Sequence, residues 1–103
     1  MVAIIYSTIG DIKDARRIAH TLVEEQLVAC VNIIPKIESI YKWKGKIEND
    51  EECVLIAKTV DNNIKKTITR LKSLHTYELP DIIVIPIIGG LIEYLNYITN
   101  ETS

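Results

Sequence analysis

Residues 28–60 read VACVNIIPKIESIYKWKGKIENDEECVLIAKTV. Two runs of strand-forming residues meet at Lys44-Gly45, where the glycine can adopt the positive φ that a tight turn needs. A strand of about 16 residues spans about 50 Å, whereas a domain of about 100 residues has a radius of gyration of only about 13 Å. The segment therefore predicts a long β-hairpin, over roughly residues 28 to 59, that projects beyond the core of its own subunit.

Counting outward from the turn gives a trial register for this hairpin. In that register Trp43 faces Lys46, Tyr41 faces Glu48, Ile37 faces Glu52, and Ile33 faces Ile56. The alternation predicts that five apolar residues share one strand face: Val31, Ile33, Ile37, Tyr41 and Trp43. Pro35 has no N–H for the ladder, so a bend, a bulge or a sheet edge is expected there.

The same register keeps the two cysteines apart. It places Cys30 opposite Thr59 and Cys53 opposite Lys36, so we expect neither a disulfide nor a shared pair of metal ligands within one chain. A buried free thiol that packs as a small apolar group is the favoured interpretation of both.

The tip of the hairpin carries aromatic and charged side chains. Exposed strand edges invite pairing with other chains, and aromatic residues are enriched at protein interfaces. We therefore interpret the projecting hairpin, with Tyr41 and Trp43 near its end, as an arm for self-association.

The rest of the chain supplies the other elements of an α+β fold. Val2 to Tyr6 is a short apolar run typical of a buried strand, and residues 12 to 26 have the apolar spacing of an amphipathic helix capped by Asp11. The elements predicted after the hairpin are a helix capped by Asp61, a loop at 75–81, a strand at 82–88 disturbed near Pro86, a turn at Gly89-Gly90, and a short helix at 91–98. The order β-α-β-β-α-β predicts a ferredoxin-like sandwich with both main helices on one sheet face.

Composition limits the classes of partner. The 103 residues fit one domain, 1–103, and 48% of them are hydrophobic, which is enough for a packed core. A net charge of −2 gives no field that would attract nucleic acid or an anionic membrane. No apolar run approaches the roughly 20 residues of a membrane helix, and no export signal is recognised, so we expect a cytoplasmic protein with reduced cysteines.

Several motifs together carry a family resemblance. They are ACVNIIP at 29–35, SIYKWKGKI at 39–47, Glu52, Lys58-Thr59, HTYELPD at 75–81, and Tyr94-Leu95. Over essentially its whole length the chain resembles the CutA family, the divalent-cation-tolerance proteins. The resemblance implies a ferredoxin-like fold, a homotrimer related in architecture to PII signalling proteins, in which long hairpins pair between subunits, and a link to tolerance of divalent metals, chiefly copper. It implies no established catalytic activity.

The resemblance also bears on a metal site. Members implicated in copper binding carry a Cys at the end of the first strand and a His-His pair before the loop, whereas Ser7 and Leu74-His75 stand here. His75 is thus the one candidate ligand for Cu²⁺ or another divalent cation, although a single imidazole holds a transition metal weakly. The alternative is that His75 hydrogen-bonds within the loop. The acidic run 48–52 alternates between two strand faces, which favours a solvated edge.

A second candidate site lies between subunits. By resemblance to the place where PII-like trimers bind small effectors, Lys58, Tyr77, Glu78 and Asp81 could line an inter-subunit cleft. The alternative is a structural ion pair at the trimer seam, in which Glu52 or Asp81 neutralises Lys58. The full predicted cleft and interface set is Cys30, Tyr41, Trp43, Glu52, Lys58, Tyr77, Glu78 and Asp81.

These patterns leave three functional hypotheses. The first is a non-enzymatic homotrimer, associated with tolerance of divalent metals, that binds metal weakly or anchors an unidentified protein partner. The second is a PII-like signalling trimer that binds a small anionic effector. The third is an enzyme, which has the least support, because a Gly-x-Ser-x-Gly elbow and a phosphate-binding loop are both missing from the sequence.

Overall fold

Strands and helices follow one another in the predicted order along residues 1–102, which the computed structural model describes. The elements are β1 (Val2–Ile9), α1 (Ile12–Glu24), β2 (Cys30–Trp43), β3 (Lys46–Val60), α2 (Ile64–Leu74), β4 (Ile82–Pro86) and α3 (Ile92–Glu101). The strands form one antiparallel sheet in the order β2-β3-β1-β4. The predicted α+β class and element order are confirmed, and β4 ends at Pro86, two residues before the predicted boundary.

Helix α1 begins and ends at recognisable capping motifs. The Asp11 side chain accepts a hydrogen bond from the Lys13 N–H at 2.7 Å, which confirms the predicted N-cap. At the other end the Leu27 N–H donates to the Leu22 carbonyl at 3.1 Å, and Gln26 takes a φ of 59°. This Schellman motif stops the helix at Glu24, two residues earlier than predicted.

Helix α2 does not begin as predicted. Asp61 opens a 3-10 turn, Asp61–Asn63, and its side chain accepts from the Asn62 N–H at 3.0 Å instead of capping α2. Asn63 precedes the helix and points its amide inward, where it donates to the Leu27 carbonyl at 3.1 Å. The backbone of Leu27 thus ties the start of α2 to the end of α1. No helix in the described range is long and apolar enough to cross a membrane.

The main core lies between the sheet and the α1–α2 layer. Its buried members are Ile5, Ile9, Ala15, Ile18, Ala19, Leu22, Val28, Cys53, Leu55, Ala57 and Leu71. Side chains alternate along a strand, so Val2 and Val60 belong to the opposite sheet face. There they pack with Ile98 of α3 in a second, smaller cluster.

A β-bulge in β2 divides the hairpin into two registers. From the tip inward the pairs Trp43↔Lys46 and Ile37↔Glu52 occur as predicted. Between Ile34 and Ile37 the register then shifts by one residue, so that Ile33 faces Leu55 and not Ile56. The bulge fits the expectation at Pro35, and the buried Cys53 opposite it donates its S–H to the Pro35 carbonyl at 3.2 Å.

The shift corrects two predictions. Residues directly opposite each other in an antiparallel pair point to the same sheet face. Val31 and Ile33 therefore lie on the helix side, whereas Ile37, Tyr41 and Trp43 lie on the other side, and the predicted common face is wrong. The partner of Cys30 is likewise Lys58 and not Thr59.

The hairpin extends past the end of its neighbouring strand. The last β1–β3 pair is Ile9↔Cys53, so residues 36–52, which we call the arm, have no β1 beside them. Seven residues of β3 beyond this point span about 23 Å at about 3.3 Å each. The arm accounts for the elongated shape of the subunit, whose extents are 44 × 25 × 22 Å.

Candidate functional site

The 75–81 loop is anchored by His75. Its Nε2 lies 2.8 Å from the Thr8 carbonyl oxygen, and its Nδ1 accepts from the Tyr77 N–H at 3.1 Å. Since a carbonyl oxygen can only accept, Nε2 carries the proton and donates. Both ring nitrogens are therefore engaged by backbone groups, and the imidazole ring packs against the Tyr77 ring at 4.8 Å between centroids.

These contacts bear on the expected metal ligand. A metal ion at His75 would have to replace one of its two backbone hydrogen bonds. The Ser7 hydroxyl is fully buried, and the Leu74 side chain packs against the main core. Neither residue therefore supplies the thiolate or imidazole that copper prefers. Within residues 1–102 no group of three or more His, Cys, Asp or Glu side chains could hold a metal ion. The donor set of one chain does not fit a resident copper ion.

Tyr77 connects the loop to the base of the arm. Its phenol donates to the carboxylate of Glu52, which is only 7% exposed. Burial and then this hydrogen bond raise the pKa of Tyr77 above its ordinary range. The ring also lies against Gly10, where an added Cβ would come within 3.0 Å of the Tyr77 hydroxyl. We call the Tyr77–Glu52 contact, with its support from His75, the brace.

Further contacts run between loop, arm and sheet. Tyr41 donates its hydroxyl to Asp50 across the arm, and this hydrogen bond is the main cause that raises the pKa of Tyr41 to about 12. Glu78 lies 4.0 Å from the ammonium of Lys44 at the arm tip. Asp81 accepts from the Thr8 hydroxyl at 3.5 Å. The last two contacts are long, so the brace is the principal side-chain link between loop and arm.

Lys58 belongs to a different cluster. Its ammonium donates to the Tyr94 hydroxyl at 3.2 Å and lies 5.3 Å from the centroid of the same ring. Tyr94 stacks in turn on Tyr97, with 5.5 Å between centroids. Cys30, the cross-strand neighbour of Lys58, is a partly exposed free thiol. We call Lys58, Tyr94 and Tyr97 the lysine cluster.

The predicted cleft residues thus separate into two groups within one chain. Glu52 and Lys58 are six residues apart on one strand, which is about 20 Å. The expected ion pair of Lys58 with Glu52 or Asp81 is not formed within residues 1–102, because Glu52 bonds to Tyr77 and Asp81 to Thr8. Trp43 stands apart from both groups at the arm tip, with the Lys44 ammonium 5.5 Å from its ring.

Sequence reasoning missed the role of Tyr94. Its helical spacing suggested a residue that packs a short terminal helix, yet it is 38% exposed and binds Lys58. The available signal was the lysine itself, because a cation in an apolar strand needs a partner. A phenol can supply that partner through its hydroxyl and its ring, which a search for carboxylates overlooks.

Comparisons with known proteins agree with one another. The sequence model of the CutA1 divalent ion tolerance protein family matches residues 3–101. The divalent cation tolerance protein of Thermus thermophilus is 41% identical, and its structure superposes with a TM-score of 0.97 over 100% of both chains. Protein CutA, chloroplastic, of Arabidopsis thaliana is 37% identical over 96% of this chain, which spans only 54% of that protein. A structure named as the periplasmic divalent cation tolerance protein CutA of Archaeoglobus fulgidus is 40% identical, with a TM-score of 0.95 over 98% of both chains.

Proposed function

Because this chain belongs to the CutA1 divalent ion tolerance protein family, we propose that it acts as a non-enzymatic, cytoplasmic homotrimer associated with tolerance of divalent metal ions, copper among them. The observation that carries this proposal is the arm, which leaves its own subunit beyond the Ile9↔Cys53 pair. A projecting strand pair exposes backbone edges that another chain can satisfy.

The sheet face opposite α1 and α2 supports the same assembly. Its outer strands carry exposed isoleucines, among them Ile34 on β2 and Ile83 and Ile85 on β4, at 44%, 52% and 43% exposure. Within residues 1–102, the outer strands β2 and β4 also have one unpaired edge each. An apolar face next to free strand edges is characteristic of a surface that meets another subunit. Three copies related by a closed rotation would cover these surfaces without leaving an open end.

Sedimentation of the purified protein tests the assembly directly. We expect a trimer, and we expect Trp43→Glu at the arm tip to weaken it, because a carboxylate there would be buried without a partner. Val23→Glu is the matched control, since Val23 is an exposed apolar residue of α1 on the helix layer. A stable, folded wild-type monomer would refute the proposed assembly.

Metal binding requires its own measurement. Since residues 1–102 of one chain hold no group of three ligands that includes His75, we propose weak binding, with additional ligands from other copies in the trimer. Copper titration by calorimetry should give a saturable signal that His75→Ala abolishes. The double variant Ser7→Cys, Leu74→His restores the donors that copper-binding members are expected to carry and should bind more tightly. Absence of saturable binding by the wild type at micromolar copper would remove metal binding from the proposal and leave the anchoring of a protein partner.

A second candidate function is supported by the lysine cluster. The cation of Lys58 lies on the face that the assembly would cover, and its only close side-chain partner in the described chain is the uncharged Tyr94. This favours a PII-like trimer that binds a small anionic effector between subunits. A thermal-shift screen of anionic metabolites and nucleotides tests it, and an unchanged melting temperature throughout would count against it.

A further inference from the structure

Lys58 lies in an apolar row of the sheet. Its cross-strand neighbours are Cys30 on β2 and Ile4 on β1, and Ile85 on β4 follows Ile4 in the same row. All four side chains point away from α1 and α2, because the adjacent residue Ala57 belongs to the main core. A single cation thus stands among apolar and weakly polar neighbours.

The contact between Lys58 and Tyr94 leaves hydrogen-bond donors of both residues unused. An ammonium has three N–H groups, and one of those of Lys58 is used by the Tyr94 oxygen at 3.2 Å. Because that oxygen accepts from Lys58, the Tyr94 hydroxyl proton can be donated elsewhere, and no acceptor for it is found in residues 1–102. A positive charge and an O–H donor therefore converge beside each other, which is the donor set that binds an oxyanion.

The described residues also give the cluster no counter-charge. No carboxylate of residues 1–102 lies within 4.0 Å of the Lys58 ammonium. Glu52, six residues before it on the same face of β3, is already bonded to Tyr77. If other copies cover this face, the cation loses water, and an unpaired buried charge is strongly unfavourable. Stabilising Lys58 in the assembly therefore requires an anion from outside its own chain.

We infer that Lys58 and Tyr94 bind the carboxylate or phosphate group of a small free molecule. The inference rests on the proposed assembly for the burial of the site, but both protein ligands belong to one chain. The ammonium supplies the charge, and the phenol fixes the direction of approach through its hydroxyl. Tyr97, stacked on Tyr94, holds that ring in place and adds an aromatic surface beside the anion.

Calorimetric titration of the full chain with inorganic phosphate and, separately, with succinate tests this site and compares the two oxyanions. The variants are Lys58→Met, which keeps the length of the side chain without its charge, and Tyr94→Phe, which removes only the hydroxyl. Lys65→Met is the matched control, because Lys65 is an exposed cation on α2. We expect saturable wild-type binding, a loss of about tenfold or more in affinity for Lys58→Met, and about threefold for Tyr94→Phe.

The outcomes separate this inference from the proposed trimer. Equal losses in Lys58→Met and Lys65→Met would overturn the site, because binding would then follow overall charge. No binding of either anion, together with a trimer weakened by Lys58→Met, would also overturn it and assign the counter-charge to a carboxylate of a neighbouring copy. Sedimentation of the same samples without anion reports the assembly alone, so a wild-type monomer refutes the trimer whatever the titration shows.

Discussion

The phenol of Tyr77 donates a hydrogen bond to the buried carboxylate of Glu52, and this bond joins the 75–81 loop to the arm. The loop is held on its other side by His75, whose Nε2 donates to the Thr8 carbonyl of β1. The brace therefore connects the end of β1 with the point where the arm leaves the sheet. We expect this connection to fix the direction in which the arm projects.

Removing the Tyr77 hydroxyl should destabilise the folded chain. Tyr77→Phe leaves the Glu52 carboxylate buried without its donor, and bonds to charged groups contribute more than neutral ones, so we expect a cost of about 1 to 2 kcal/mol. Tyr41→Phe is the matched control, since its bond to Asp50 is on the exposed arm, and its cost should be clearly smaller than that of Tyr77→Phe. Urea unfolding at one fixed protein concentration measures both. Equal effects of the two substitutions would contradict the role of the brace.

Alkaline pH should lower the stability of the folded chain, because it ionises the phenols of Tyr41 and Tyr77. The hydrogen bond to Asp50 raises the pKa of Tyr41 to about 12, and burial with the bond to Glu52 raises the pKa of Tyr77. In the unfolded chain a tyrosine phenol has a pKa of about 10, so the folded chain holds these two protons more tightly. The resulting stability is complete below about pH 10 and is lost as the pH rises through about 12.

Phenolate absorbance during a rapid pH titration checks this prediction. The chain has five tyrosines, so the curve should contain a delayed component, and Tyr41→Phe should remove part of it. A wild-type curve in which every phenol ionises together at about pH 10 would show that the two hydrogen bonds do not form.

Removing the buried hydroxyl of Ser7 and removing that of Thr59 should change the stability of the fold in opposite directions. The Ser7 hydroxyl has no hydrogen-bond partner in the described structure, whereas Thr59 donates to the Leu27 carbonyl at 2.6 Å. Leaving a buried hydroxyl unbonded costs about 1 to 3 kcal/mol, so Ser7→Ala should raise stability by up to about 1 kcal/mol after the small void is counted. Thr59→Ala should lower it by about 1 to 2 kcal/mol. Thermal unfolding distinguishes them, and a clear loss of stability in Ser7→Ala would refute the prediction.

The secondary structure followed from local sequence, but the hairpin register did not follow throughout. Lys44-Gly45 fixes the turn, so the register near the tip could be counted correctly from the glycine. Pro35 indicated an irregularity without giving its kind, because a bend, a bulge and an edge all relieve a missing N–H. Only the packing of Val31 and Ile33 against the helices selects a bulge, and that selection depends on tertiary structure.

The sequence identified the individual residues of the candidate sites, but it did not predict which of them contact one another. Glu52 and Tyr77 are far apart in sequence and meet because the loop after α2 passes the end of β1. Lys58 was recognised as a cation that needs a partner, yet charge alone favoured a carboxylate over Tyr94. Residues of different elements meet in each cluster, and alternation within one strand cannot reveal such contacts.

The end of α1 offers a stabilising substitution. Gln26 has a φ of 59°, a left-handed conformation in which a side chain costs about 1 kcal/mol and glycine costs little. Its N–H donates to the Val23 carbonyl at 3.0 Å, and glycine would keep this bond because it is a backbone contact. Gln26→Gly should therefore stabilise the chain by about 0.5 to 1 kcal/mol in urea unfolding. Gln26→Ala removes the same side chain while keeping the Cβ, so stabilisation by alanine as large as that by glycine would rule out backbone strain as the cause.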